Sequence, residues 1–257
     1  MRDVAEHAAV LGGEVVLAAG LGLGAREADR KGAGDYVTEV DRESERVVAA
    51  YLETETGVAV VGEEGGGTGG SRYWVVDPLD GTTNFLHGFP AVGVSIALVE
   101  NGRPTAAAVH APFLRQTWIA ERGAGASLRG ADGTLEPLSV SSRPVDRAVV
   151  GTGFPFRRKH VLERYLEAFR GALERFEDLR RPGAASLDLA WVASGVFEGF
   201  FELGLAPWDV AAGALLIEEA GGVMTDWAGG DGWLSGDILA GSPPVHAELL
   251  RLVGGGT

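Results

Sequence analysis

Asp77 and Asp80 stand three residues apart in Trp74-Val75-Val76-Asp77-Pro78-Leu79-Asp80-Gly81-Thr82-Thr83-Asn84-Phe85, with a glycine and two threonines directly behind them. Carboxylates at that spacing can converge on one hard divalent cation, which prefers carboxylate, carbonyl and water oxygens. The Leu79 carbonyl between them is a further oxygen donor. Gly81-Thr82-Thr83 can open a helix, whose first N–H groups and dipole favour an anion such as phosphate. The same residues also suit a plain turn in which Asp and Thr cap a helix. Two further acidic clusters weigh against the plain turn. Glu63 and Glu64 follow the apolar run Val60-Val61 and precede the glycine-rich loop 65–70, a pattern that alone describes a solvated hairpin loop. Asp209, in Pro207-Trp208-Asp209-Val210-Ala211-Ala212-Gly213, precedes a helical pattern over 210–220. It reads as an N-cap that can also hold a metal, with small residues behind it that permit close backbone approach.

Gly62-Glu63-Glu64, Asp77-Pro78-Leu79-Asp80-Gly81-Thr82 and Trp208-Asp209-x-x-Ala212-Gly213, in this order and spacing, resemble the signature set of the inositol monophosphatase family of lithium-sensitive, magnesium-dependent phosphatases. The resemblance extends from Lys31 and Asp41 through Gly151-Thr152-Gly153-Phe154-Pro155 and Arg180-x-x-Gly183-x-x-Ser186-Leu187-Asp188 to Glu218-Glu219-Ala220-Gly221-Gly222. It implies that Glu63, Asp77 and the Leu79 carbonyl hold one Mg²⁺, and that Asp77, Asp80 and Asp209 hold a second. A third, weaker ion is implied near Glu63 and Glu64, under a mobile loop carrying Lys31, and Mn²⁺ is an acceptable substitute. Thr82, paired with Asp41, is implied to orient the attacking water, while Asp80 helps orient the water that protonates the leaving alkoxide. Backbone N–H groups of Gly81 and Thr82 would receive phosphate oxygens, Glu202 and Asp80 would meet the polyol hydroxyls, and Gly183, Ala184 and Asp209 would complete the substrate-binding set.

The resemblance thus points to a phosphoric monoester hydrolase acting on myo-inositol monophosphate or similar small sugar phosphates. Fructose 1,6-bisphosphate and NADP are alternative substrates for the same site, and a regulatory or binding protein that retains the metals is the alternative of a different class. Asp80-Gly81-Thr82-Thr83-Asn84-Phe85 is closer to the inositol monophosphatase branch than to the nucleotide-phosphatase branch, with its Lys-Glu after the first Thr, or the histidinol-phosphate branch, with Arg there. Ala184 departs from the Ser or Thr that relatives often carry.

Elements that position these groups follow from periodicity and turn signals. Helices are expected over 3–19 and 38–56, and strands near 59–61 and 73–76. The second strand should end at Asp77, because Pro78 cannot donate a ladder hydrogen bond. A meander over 91–100, 103–110 and 116–121 is marked by Asn101-Gly102 and Pro112. Beyond it the pattern alternates: strand 148–152, helix 160–173, strand 176–180, helix 184–195, strand 199–203, helix 209–220 and strand 222–225. Such alternation signals an α/β fold. The resemblance implies a layered αβαβα sandwich of the inositol monophosphatase and fructose-1,6-bisphosphatase type. An N-terminal half over 1–140 carries most metal ligands, and a C-terminal half over 141–257 carries Asp209 and the substrate-hydroxyl side, tightly joined as one compact unit. Helix starts at Thr82, Ala184 and Asp209 are expected to face one phosphate.

Composition bounds the rest. A chain of 257 residues, 46% hydrophobic, can bury a substantial core. A net charge of −14 argues against a nucleic-acid-binding surface, which needs clustered Lys and Arg. It also sets a problem, since an anionic protein repels an anionic substrate unless bound cations reverse the local field. There is no cysteine, which excludes a cysteine-phosphatase mechanism. The apolar stretch 4–23 is interrupted by Glu6, His7 and Glu14 and reads as a packed amphipathic helix rather than a signal or membrane span. The expectation is therefore a cytoplasmic protein without a membrane partner, and the resemblance adds a homodimer. His87 and His110 read as isolated side chains, Trp74 and Trp191 as core fillers, and Asp188 as a buried hydrogen-bond partner. Arg157-Arg158-Lys159 is either a phosphate guide or a solvated loop.

Overall fold

The computed structural model describes residues 1–22, 28–32, 35–156 and 158–254, without side chains for 28–32 and 35–37. Five layers stack in the order helix, sheet, helix, sheet, helix. Helices α1 (Arg2–Ala19) and α2 (Glu39–Thr56) cover one face of a seven-stranded sheet. Helices α5 (Ala185–Ala193) and α6 (Pro207–Glu219) fill the space between that sheet and a five-stranded one. Helices α4 (Leu162–Arg175) and α7 (Pro243–Val253) close the far side. This is the expected αβαβα arrangement. The middle helices are buried almost all round, which is why their sequences are apolar on every face.

The larger sheet runs in chain order from β3 (Val60–Gly62) and β4 (Arg72–Asp80) through β5 (Gly93–Glu100), β6 (Arg103–Ala111), β7 (Gln116–Glu121), β8 (Gly125–Arg129) and β9 (Leu135–Pro137). Only β3 and β4 pair in parallel, and the others form the expected meander, extended by two strands. The smaller sheet has the order β11-β10-β12-β14-β13, from β10 (Val149–Thr152), β11 (Asp178–Arg180), β12 (Gly199–Glu202), β13 (Val223–Asp226) and β14 (Ile238–Gly241). Its β10 is parallel to both neighbours, whereas β14 is antiparallel to β12 and β13.

Small residues let α1 approach closely: Ala5, Ala8, Ala9, Gly12, Gly13 and Val16 form one buried stripe at helical spacing. Helix α2 begins with a capping box. The Thr38 hydroxyl accepts the Val40 N–H at 3.1 Å, and Asp41 Oδ2 accepts the Thr38 N–H at 2.8 Å. The buried face of α2 is polar at its start, with Asp41, Ser44 and Glu45, and apolar further on, with Val48 and Leu52. Its first turns therefore face the site and its last turns the core.

Two expectations are corrected, and several elements were unforeseen. Strand β4 does not leave the sheet at Asp77 but continues to Asp80 through a register shift, pairing Asp77 with Ser95 and Asp80 with Gly93. Pro78 lies inside that irregularity, where no ladder N–H is needed. Helix α6 begins at Pro207, so Asp209 is its third residue rather than its N-cap. The unforeseen elements are β8, β9, β14, α7 and the hairpin of β1 (Ala28–Gly32) and β2 (Asp35–Thr38). Its first strand, Ala-Asp-Arg-Lys-Gly, offers no apolar alternation to detect.

Candidate active site

The β4 irregularity explains how two acids three residues apart share a side. In a regular strand, residues i and i+3 point to opposite faces. The extra residue between Asp77 and Asp80 cancels that inversion. Carboxylate oxygens of Asp77, Asp80 and Asp209 lie within 4.8 Å of one another. Asp77 Oδ1 accepts the Leu79 N–H at 3.0 Å, folding the turn over the acid. Asp209 is held at the start of α6, where its Oδ2 accepts the Ala206 N–H at 2.7 Å, and the Ser95 hydroxyl of β5 donates to the Trp208 carbonyl at 3.1 Å.

Glu63 is presented by a tight turn in which Gly62 and Gly66 exchange backbone hydrogen bonds at 3.0 and 3.1 Å. Glu45, buried on α2, clamps this turn by accepting the Glu64 N–H at 2.8 Å and the Gly65 N–H at 2.5 Å. Gly62 leaves room for this clamp, because a Cβ there would run into Glu45 Oε2 and displace the carboxylate. Asp41 accepts the Thr82 hydroxyl at 3.0 Å on Oδ1, while Thr38 holds its Oδ2. The Thr82 hydroxyl also reaches the Leu79 carbonyl at 3.1 Å.

These groups surround a cavity of about 390 Å³, lined by Glu63, Asp77, Leu79, Asp80, Gly81, Thr82, Gly183, Glu202 and Asp209 among others. The starts of α3 (Thr82–His87), α5 and α6 all reach its wall through Thr82, Ala185 and Asp209. Gly153 makes room for Glu202, since a Cβ there would occupy the position of its carboxylate. Phe154, Phe156, Arg158 and Arg181 form the outer lip, with the Arg181 guanidinium 5.4 Å above one ring and 5.5 Å from the other.

Burial, and then repulsion from Glu63, Asp80 and Asp209, holds the Asp77 carboxyl well above the ordinary carboxylate range. Burial and Asp209 push Asp80 up to about 7, against hydrogen bonds from Ser186 that pull it down. Burial also raises Asp41, opposed by its bonds from Thr38 and Thr82. Asp77 and Asp80 make no ion pair among the described residues. Buried carboxylates that raise one another's proton affinity are relieved by a cation. The donors are all oxygens, which fits Mg²⁺ or Mn²⁺ and does not fit a soft metal.

Not every expected residue reaches the cavity. Ala184 is fully buried behind Gly81 rather than in the wall. Glu64 borders a separate cleft with Arg42 and Arg46. Asp188 is buried on α5 with an unpartnered Oδ1, its carboxyl raised well above the usual range by burial and by Glu202 and Asp80. The Lys31 side chain and Arg157 lie outside the described residues. His87, read as isolated, lines the cavity, whereas His110 is buried against Thr117 at 2.8 Å. The sequence reading missed Glu45 and the part played by Ser186, neither of which carries a local signal. Gly153 stood inside a quoted motif without an assigned role.

Residues 1–253 match the inositol monophosphatase family, and the chain belongs to that family. It is 43% identical over 257 residues to the putative Nus factor SuhB of Neisseria meningitidis serogroup B, covering 98% of this chain and 97% of the relative. Among solved structures, the extragenic suppressor protein suhB of Bartonella henselae superposes with a TM-score of 0.90 at 35% identity, covering 99% of this chain and 98% of that one. The inositol monophosphatase of Anabaena (Nostoc) superposes with a TM-score of 0.86 at 32% identity, covering 98% and 94%. Among the described residues no helix is long and apolar enough to cross a membrane.

Proposed function

We propose that the chain is a Mg²⁺-dependent phosphomonoesterase that hydrolyses myo-inositol monophosphate or a similar small sugar phosphate by attack of water at phosphorus. The observation that carries this reading is the convergence of the Asp77, Asp80 and Asp209 carboxylates within 4.8 Å. In this reading Glu63, Asp77 and the Leu79 carbonyl hold one Mg²⁺, and Asp77, Asp80 and Asp209 hold a second. A third, weaker site near Glu63 and Glu64, under the Lys31 segment, belongs to the same proposal. Bound cations of this kind supply charge that acidifies water and neutralises phosphoryl oxygens.

The chain's own residues do the positioning. Because the Thr82 hydroxyl donates to Asp41, its lone pairs remain available to accept a hydrogen bond from the attacking water and aim its oxygen at phosphorus. Backbone N–H groups of Gly81 and Thr82 receive phosphoryl oxygens at the start of α3. On the alcohol side, Glu202 accepts from polyol hydroxyls, and Asp80 orients the water that returns a proton to the leaving oxygen. No covalent intermediate is needed, since phosphoryl transfer relies mainly on positioning and charge neutralisation. The reading also takes the protein to be a lithium-sensitive homodimer of the cytoplasm, built from halves 1–140 and 141–257.

The test is phosphate release from inositol 1-phosphate, fructose 1,6-bisphosphate and NADP, each with Mg²⁺ or EDTA. Mg²⁺-dependent release, fastest from inositol 1-phosphate, supports the proposal. A preference for either of the others moves the substrate assignment, and no release from any of them sinks the enzyme reading. A second reading rests on the relatives named Nus factor SuhB: the chain serves as a Nus factor, with hydrolysis incidental. Retention of the cellular role by an Asp77→Asn variant that has lost hydrolysis would favour it.

A further inference from the structure

Helix α5 starts without a cap of its own. Ala184 at its N-cap offers no side-chain acceptor, where a Ser, Thr, Asp or Asn is the ordinary choice. The start is also fully buried, with Ala184 and Ser186 both at 0% exposure. Buried N–H groups there must find an acceptor elsewhere. They find it 106 residues away in sequence: Asp80 Oδ2 accepts the Ser186 N–H at 2.7 Å and the Ser186 hydroxyl at 2.6 Å. The Ala185 N–H also bonds to this carboxylate. The one hydroxyl at this helix start is therefore directed at the acid of another element and not at its own helix. Asp80 is at the same time one of the three carboxylates that converge in the cavity.

We infer that Ser186 is a positioning residue for the cation site, fixing the orientation of the Asp80 carboxylate so that a helix of the C-terminal half sets the geometry of a ligand carried by the N-terminal half. The inference rests on the proposed cation site and deepens it. It differs from a simple capping role for Ser186, in which the hydroxyl contributes to stability and leaves cation binding unchanged. Oδ2 is tied to the helix by both Ser186 donors. A carboxylate released from this tether can rotate, and the ligand geometry is lost with it.

Equilibrium Mn²⁺ binding, followed by the electron paramagnetic resonance signal of the free ion, tests this without turnover. Ser186→Ala should raise the Mn²⁺ dissociation constant roughly 10-fold, the scale of one hydrogen bond to a charged group. Ser186→Cys, similar in size but a poor donor, should do the same. Ser186→Thr, which keeps the hydroxyl, should return most of the affinity. An Ala variant within about twofold of wild type, whatever its melting temperature, overturns the inference by reducing Ser186 to a cap. Wild-type affinity in the Cys variant also overturns it, by showing that shape rather than the hydrogen bond matters. Asp77→Asn is the separate control: if it binds Mn²⁺ as wild type does, the cation site itself is wrong, independently of Ser186.

Discussion

At the scale of single residues, the site divides into groups that touch the reacting atoms and groups that hold them in place. In the proposed mechanism Thr82 touches the attacking water and Asp41 holds Thr82, because one hydrogen bond of 3.0 Å decides where the threonine lone pairs point. Thr82→Ala should lower kcat by about 100-fold, within the range for loss of a positioned proton-handling group, with a much smaller change in KM. Thr82→Ser should recover most of the rate, and equal loss in both variants would show that the methyl group, not the hydroxyl, matters. The carboxylates were legible in the sequence because three acidic motifs stand in the order and spacing of the family signature, although each alone also fits a turn, a loop or a cap. Ser186 and Glu45 were not, since each acts on a partner brought near only by the fold.

At the scale of elements, the decisive feature is the irregular end of β4 and the turn into α3. The sequence marked Pro78 as a strand terminator, whereas the strand absorbs it as a bulge, and that bulge brings Asp77 and Asp80 to one side. Gly81 then turns the chain with φ 89°, and a Cβ there would sit 2.9 Å from the Ala91 carbonyl oxygen. Gly81→Ala should therefore cost about 1–3 kcal/mol in stability, the usual range for a residue held in a disfavoured backbone region. Thermal unfolding should fall by several degrees, on the order of 2–4 °C per kcal/mol for a chain of this size. An unchanged midpoint would mean that the turn relaxes. Periodicity made the long helices and the meander legible, but β14 and α7 were missed. A four-residue strand between Asp237 and Ser242 is too short to show a period.

At the scale of the whole molecule, the five layers leave polar groups inside that give stability a pH dependence. His110 of β6 is buried beside Gly13 of α1 and bonded to Thr117, and burial lowers its pKa to about 4. The unfolded chain, with an ordinary histidine near 6.5, then binds the proton more readily than the folded one. Stability should fall as pH drops from about 6.5 toward 4, by up to roughly 3 kcal/mol from this residue. Proton NMR of the His110 ring should show a midpoint near 4, and a midpoint near 6.5 would remove this contribution. The alternation of strands and helices in the second half made the α/β class legible. The order of its sheet was not, because strand order depends on crossovers that no local pattern encodes.

The net charge of −14 makes cation dependence the most exposed part of the account. Phosphate release from inositol 1-phosphate, compared for wild type and Asp77→Asn at saturating Mg²⁺ and in EDTA, tests it most directly. Wild type should release phosphate only with Mg²⁺, and Asp77→Asn should lose nearly all of that activity while remaining folded. Undiminished hydrolysis by Asp77→Asn, or by wild type in EDTA, would contradict a mechanism built on the Asp77, Asp80 and Asp209 cluster.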